Sequence, residues 1–141
     1  MSRARAALST QGFFAMASSS SNTVFLCGDV MCGRGIDQIL PNPSMPELHE
    51  PYADSALDYW RLAQQCHGPV PRRVNYGYIW GDALAELREE HAAVRIANLE
   101  TAITTSNDWL PKGINYRMHP ANAECLRAAG IQCCNSRAAA S

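Results

Sequence analysis

No acidic residue precedes Asp29, and no apolar run in that acid-free stretch is long enough for a secretory signal or a membrane span; Gly12 to Ala17 (GFFAMA) is too short for either. Secretion and membrane anchoring are therefore not expected of the chain as given. An excess of charge is also lacking. The 12 basic and 13 acidic side chains leave a formal net charge of −1, so the composition favours neither a nucleic-acid nor an anionic-membrane partner. Any recognition of anions has to be local. No pair among the six cysteines has the C-x-x-C spacing of a zinc site, and no histidine follows His119. A zinc-finger class falls away on that count.

What remains is ordinary globular composition, 47% hydrophobic and 18% charged, over a length that suits one domain. Cys27, Cys66, Cys125, Cys133 and Cys134 all fall in segments that read as strand or helix, so buried free thiols are expected rather than disulfides. The first 22 residues carry Arg3, Arg5 and the cluster Ser18 to Ser21. An Arg- and Ser-rich, acid-poor leader resembles an organelle transit peptide, but a plain disordered tail, or an extension upstream of a true start at Met16, is the preferred reading. The expected location is cytoplasmic, or organellar if the leader is a transit peptide.

The chain is organised around Thr23 to Gly35, TVFLCGDVMCGRG. The apolar, β-branched and aromatic run Val24 to Cys27 reads as a buried strand, broken at Gly28-Asp29 into a glycine-punctuated loop. Asp29 is then either a turn cap or a carboxylate delivered to the tip of a strand, where open parallel α/β sheets bind their ligands. Pro41, Pro43, Pro46 and Pro51 space out an irregular loop. Ser55 opens a helix with Asp58 three residues on, and Ala56, Tyr59, Trp60, Ala63 and Cys66 recur at helical spacing until Gly68-Pro69; Tyr59 and Trp60 read as packing residues. Val70 to Trp80 reads as an ordered loop leading to a short extended piece, with Arg72 and Arg73 on the surface. Gly81-Asp82 supplies a helix start, and His91 suits that helix's C-terminal end. Val94 to Leu99 is a second strand, ending at Glu100. Pro120 opens a helix that stops at Gly130, and Ile131 to Cys134 forms a third strand. Strand, helices, strand, helix, strand is the βαβ pattern of a parallel α/β sheet.

Four blocks in order, GDVMCGRGIDQILP, YIWGDAL, RIANLETAIT and PKGINYRMHP, resemble the capsule-synthesis, poly-γ-glutamate-biosynthesis (CapA-type) family, whose domain is similar to the calcineurin-like metallophosphoesterases. The resemblance covers residues 23–134, the N-terminal half of such a domain, with 135–141 as a non-family tail. It implies a layered α/β fold truncated to its first βαβ units. It matches Asp29 to a Gly-Asp motif and Glu100 to an Asn-Leu-Glu motif, as ligands of a divalent metal such as Mn²⁺ or Mg²⁺. The calcineurin-like pattern Asp-x-His is broken by Met31, and where the family continues to Asn-Asn-His this chain offers only Asn135.

Two-metal phosphoester cleavage needs several carboxylates, histidines or asparagines converging from different strand ends, and Asp29 and Glu100 stand at two of them. Between Glu100 and the last helix, Lys112, Arg117 and His119 bracket Tyr116. A forked guanidinium and a point charge suit an anionic small molecule or polymer, phosphorylated or polyglutamyl, although His119 also fits a plain helix cap. Two functions follow: a CapA-type, metallophosphoesterase-like fragment without the second half of its site and so inactive, or a non-catalytic anion-binding or interaction fragment. A sheet ending at Cys134 is expected to leave an edge and part of an apolar face uncovered, with marginal stability. The leader offers few apolar side chains to bury. Starting the chain at Asn22 is expected to leave the circular dichroism spectrum of the folded part unchanged, and a loss of folded signal would show that the leader contributes to the fold.

Overall fold

The structure is a computed structural model that describes residues 22–136; the readings of the leader before Asn22 and of the tail from residue 137 on lie outside the described residues. In chain order come β1 (Val24–Val30), α1 (Arg34–Ile39), β2 (Glu47–Glu50), β3 (Ala53–Ser55) and α2 (Ala56–His67). A 3-10 turn at Tyr78–Trp80, α3 (Ala83–Glu89), β4 (Val94–Leu99), β5 (Ala102–Ile103) and β6 (Arg117–Met118) follow, then a 3-10 turn at Pro120–Ala123, α4 (Glu124–Ala128) and β7 (Cys133–Ser136). The principal sheet is parallel, in the order β1-β4-β7, so the α/β reading with a parallel sheet holds. The chain carries the first βαβ units of the layered, metallophosphoesterase-like architecture.

β4 is the central strand, and the period of two sorts its side chains. Ala97 and Leu99 are buried against Met118, Cys125 and Leu126, with Phe25 and Cys27 of β1 packed on the same cluster. Arg95 also belongs to this inward set, and its guanidinium is accommodated by donating to the carbonyls of Leu87 and Glu90 at the end of α3, where helix carbonyls lack partners. On the opposite side of the sheet Val24 is 50% and Leu26 70% exposed. β7 forms an edge, so among the described residues both the open edge and the uncovered apolar positions are present.

Local chemistry explains where the sequence reading held and where it did not. Ser55 caps α2 as expected, its Oγ accepting from the Leu57 N–H at 3.3 Å. Asp82 precedes α3 but makes no side-chain cap bond. The Gly33-Arg34-Gly35 stretch is the start of helix α1 rather than a loop, with Arg34 at φ +50°. Glycine on both sides permits this crowding: a Cβ on Gly33 would stand 2.7 Å from the Arg117 carbonyl oxygen, and one on Gly35 2.8 Å from Tyr59 Cβ. The proline-rich stretch is irregular over 41–46, as expected, but its second half folds into a β2-β3 hairpin with Pro51 placed in the turn. Residues 78–80 are helical rather than extended because Trp80 folds back, donating from Nε1 to the Cys125 carbonyl at 2.8 Å. Cys125 is buried as expected, but Cys66, Cys133 and Cys134 are exposed and Cys27 is half-buried; all six thiols are free.

A buried carboxylate knits these pieces together. Asp37, 1% exposed, accepts at Oδ2 from the Ser44 N–H (2.6 Å) and at Oδ1 from the His119 N–H (3.0 Å) and the Asn122 amide (2.7 Å). Asn122, fully buried, also donates to the Asn42 carbonyl (2.8 Å) and accepts from the Asn42 N–H (3.1 Å). One helix, the loop after it and the segment after β6 are thus joined through a single charge. Asp37→Ala strands three donors and is expected to cost about 3 kcal/mol or more in denaturant unfolding. A loss below about 1 kcal/mol would show the network to be dispensable.

Candidate functional site

The carboxyl ends of β1 and β4 lie side by side, as parallel pairing requires. The register places Asp29 against Asn98 after an irregularity between Cys27 and Asp29, so Gly28 is an extra residue that bends the strand and re-aims the next side chain. Asp29 is therefore a strand residue whose Oδ1 accepts from Asn98 Nδ2 at 2.6 Å, not the cap of a turn. Glu100 follows β4 directly and is tied to β1 by its N–H, which donates to the Val30 carbonyl at 3.0 Å. Thr101, 3% exposed, accepts at Oγ1 from the Cys32 N–H (3.2 Å), stitching together the loops that leave the two strands. Both carboxylates are exposed.

The chain then adds a wall. The Ala102 N–H donates to the Tyr116 carbonyl and the Thr104 N–H to the Met118 carbonyl, pairing β5 with β6 and closing the loop between them over the strand ends. A cavity of about 480 Å³ results, lined among others by Asn98, Glu100, Thr101, Lys112, Trp109 and Arg117. Four of the five sequence-predicted residues are gathered here: Glu100, Lys112 and Arg117 on the lining, and Asp29 through its bond to Asn98. His119 is not among them. Its N–H is held by Asp37, and its Nδ1 accepts from the Ala121 N–H at 3.1 Å, so it caps the turn that Pro120 opens. The Arg117 guanidinium donates to the carbonyls of Ser106 (2.8 Å) and Met45 (2.9 Å) and to Asn107 Oδ1; in this arrangement it fastens the wall.

Arg34 is the larger surprise. Its side chain is 91% buried against a fully buried Glu50, Nη2 to Oε1 2.7 Å. It also donates to the hydroxyls of Tyr59 (2.7 Å) and Tyr52 (3.2 Å), with Tyr116 under the guanidinium at 4.7 Å. Burial lowers its pKa, but the Tyr52 hydrogen bond and the Glu50 charge outweigh that and hold it above the usual arginine value. Burial raises the pKa of Tyr59. Glu50 Oε1 also accepts from the Asn115 N–H at 3.2 Å, so this cluster anchors the segment that forms the cavity wall. Tyr59, read from sequence as packing, is thus part of an electrostatic cluster. In the core, a hydrogen bond with Cys125 and burial push the Cys32 thiol well above its ordinary pKa, so it stays protonated.

Sequence reasoning missed Asn98, Thr101, Arg34 and Glu50. One signal was available: Asn98 and Glu100 are two residues apart at the end of a strand, which places them on one side. Nothing local marks Glu50, whose partners come from α1 and from residue 115. For a hard cation, the donors near the strand ends are the carboxylates of Asp29 and Glu100 and the amide oxygen of Asn98, whose nitrogen is spent on Asp29. Among the described residues no group of three or more His, Cys, Asp or Glu side chains is placed to share an ion. These are the donors a divalent cation would meet there, and they are too few for a two-metal centre.

The family described as bacterial capsule synthesis protein PGA_cap matches residues 23–138. Two curated relatives, each described as a probable polyglutamine synthesis accessory protein, come from Mycobacterium tuberculosis strains CDC 1551 and H37Rv. Both are 47% identical over 107 residues, which make up 75% of this chain and 28% of each relative. The chain spans little more than a quarter of the length of the curated relatives it matches. No solved structure matches it.

Proposed function

Because the chain belongs to the bacterial capsule synthesis family, we propose that it serves as a piece of an accessory protein for making a glutamyl-type polymer, and that the cavity at the strand ends is where an anionic segment of substrate is met. The observation that carries this reading is the convergence at one end of a parallel sheet of Asp29, Asn98 and Glu100 with Lys112 across a 480 Å³ cavity. The sign of the residues fits the assignment. Exposed Lys112 offers a point charge to a phosphoryl or carboxylate group, and exposed Asp29 and Glu100 would hold a divalent cation with Asn98. When bound there, such a cation supplies a positive charge that polarises a phosphoryl or carbonyl oxygen.

The chain's own side chains do the rest. Asn98 fixes Asp29 by donating to one carboxylate oxygen, leaving Oδ2 free to face outward. Arg117 holds the wall by tying Ser106 and Asn107 to Met45, which keeps Lys112 and Trp109 on the far side of the cavity. This wall orients a ligand and narrows access of water. Three donors are too few to fix two cations and an attacking oxygen, so in this chain binding, rather than phosphoester turnover, is the expected activity. The satisfied Asp29–Asn98 pair favours the second reading in the same direction: a non-catalytic anion-binding module.

The test is calorimetric titration of the 141-residue chain with Mn²⁺, followed by an assay of 4-nitrophenyl phosphate hydrolysis with Mn²⁺ or Mg²⁺. Weak cation binding that disappears in Asp29→Ala, with little or no turnover, is expected. Robust metal-dependent hydrolysis abolished by Asp29→Ala would show that this piece is a complete catalyst. Mn²⁺ binding unchanged by both Asp29→Ala and Glu100→Gln would remove the cation from the strand ends.

A further inference from the structure

Among the described residues, exposed apolar side chains gather on one short stretch of the cavity wall. Trp109, Leu110 and Ile114 are 48%, 46% and 42% exposed, and all three line the cavity of about 480 Å³ at the strand ends. The backbone there is held in place. The Leu110 carbonyl accepts from the Lys112 N–H (2.7 Å) and from Asn115 Nδ2 (3.1 Å), and one face of the Trp109 ring stacks on His49 with centroids 4.5 Å apart. Surface hydrophobics scattered singly need no explanation, but a contiguous group of large ones on a fixed loop, lining a cavity, marks a surface for a ligand. Lys112 stands between them on the same lining.

Chemistry decides what such a wall takes. The side chains of Leu110 and Ile114 offer neither donor nor acceptor, so a wholly polar ligand leaves them in water, whereas an apolar group laid on them removes both surfaces from water. The strand-end side of the same cavity carries Asn98 and Glu100, beside which a wholly apolar ligand would leave polar groups unmatched. The lining is two-sided, and its occupant has to be so as well. The volume falls in the range of about 300–1,000 Å³ that holds a whole small ligand, so a charged head and an apolar chain of several carbons fit together. Because the cavity lies between the wall and the strand ends, a single molecule enters it where the flat face of a bilayer does not.

We propose that the cavity takes an amphiphile, an anionic head joined to an apolar chain, as a single molecule. The proposal rests on the anion reading of this site given above and adds the chemistry of the ligand's other half. The head meets Lys112, and the chain lies along Trp109, Leu110 and Ile114, with the loop in the arrangement seen.

The test is calorimetric titration of the 141-residue chain, at one fixed Mg²⁺ concentration, with n-butyl phosphate and n-octyl phosphate below their micelle concentrations. The probes share a head, so their difference reports the chain alone. A buried methylene tightens binding by up to about fourfold, and the octyl probe is expected to bind at least about tenfold more tightly than the butyl probe. The double variant Leu110→Ser, Ile114→Ser is expected to cut that preference to about threefold or less. Its melting temperature should be unchanged, because both side chains are exposed. Leu26→Ser, on the outer side of the sheet, should leave the preference intact, and Lys112→Gln should weaken both probes equally. Equal affinity for the two probes, or a preference undiminished in the double variant, would overturn the proposal while leaving the anion site standing. A preference lost in Leu26→Ser would overturn it by placing the chain on the outer side of the sheet. Failure of both probes to bind, or affinities unchanged in Lys112→Gln, would overturn the anion reading and the proposal with it. Co-sedimentation with vesicles of phosphatidylcholine and phosphatidic acid that is lost in the double variant would overturn the single molecule in favour of a bilayer surface.

Discussion

Everything at the strand ends depends on one buried charge. Asp37 sits on a six-residue helix too short to be stable alone, and its carboxylate draws in the N–H of Ser44 on one side and those of His119 and Asn122 on the other. A carboxylate taken out of water is tolerable only when its oxygens are met, and three donors from two distant stretches of chain meet them. The same bonds fix the loop that carries Met45 and the segment that carries Arg117. Since Arg117 ties the wall to Met45, the cavity's shape is set by a residue that never touches it.

Arg34 and Glu50 add a second level. Their ion pair is buried among tyrosines, where breaking it would leave an uncompensated charge. The pair holds the Asn115 N–H, and the Arg34 guanidinium lies over the Tyr116 ring, so the strand carrying Arg117 is gripped from below. The polar side chains of this protein fall into two groups with different work. Buried ones, Asp37, Asn122, Glu50 and Arg34, build the frame; Asp29, Glu100 and Lys112 stand exposed at the strand ends and on the cavity wall.

Much of this division was legible in the sequence, and the limit has a physical reason. The strand at Val94 to Leu99, the cap at Ser55, the stop at Gly130 and the carboxylates at two strand ends are written in neighbouring residues, through periodicity and turn chemistry. The family was legible too, in four ordered blocks, and the comparison with known proteins bears it out. The Asp37 and Arg34 clusters were not, because their partners lie on other elements: Asp37 meets Asn122 at a separation of 85 residues. Helix α1 hid behind its glycines, which read as loop until the close approach of Arg117 and Tyr59 explains why no larger residue fits. His119 gave an ambiguous signal, cap or ligand, and the bond from Ala121 shows it capping the turn.

The central position of β4 has a consequence for how the sheet assembles in time. β1 and β7 never meet; each pairs with β4 alone. The bond between Asp29 and Asn98 closes a loop of 69 residues, and nothing in β1 can join the sheet until that much chain has been made. A newly synthesised chain therefore carries Phe25 and the unpaired backbone of β1 in water while the helices behind it form, and the non-local pairing makes closure slow relative to helix formation. That waiting strand is the point of exposure for a chaperone or a second unfolded chain. Pairing with Val94 to Leu99 satisfies one edge of that strand and packs Phe25 on the core, while Val24 and Leu26 stay exposed.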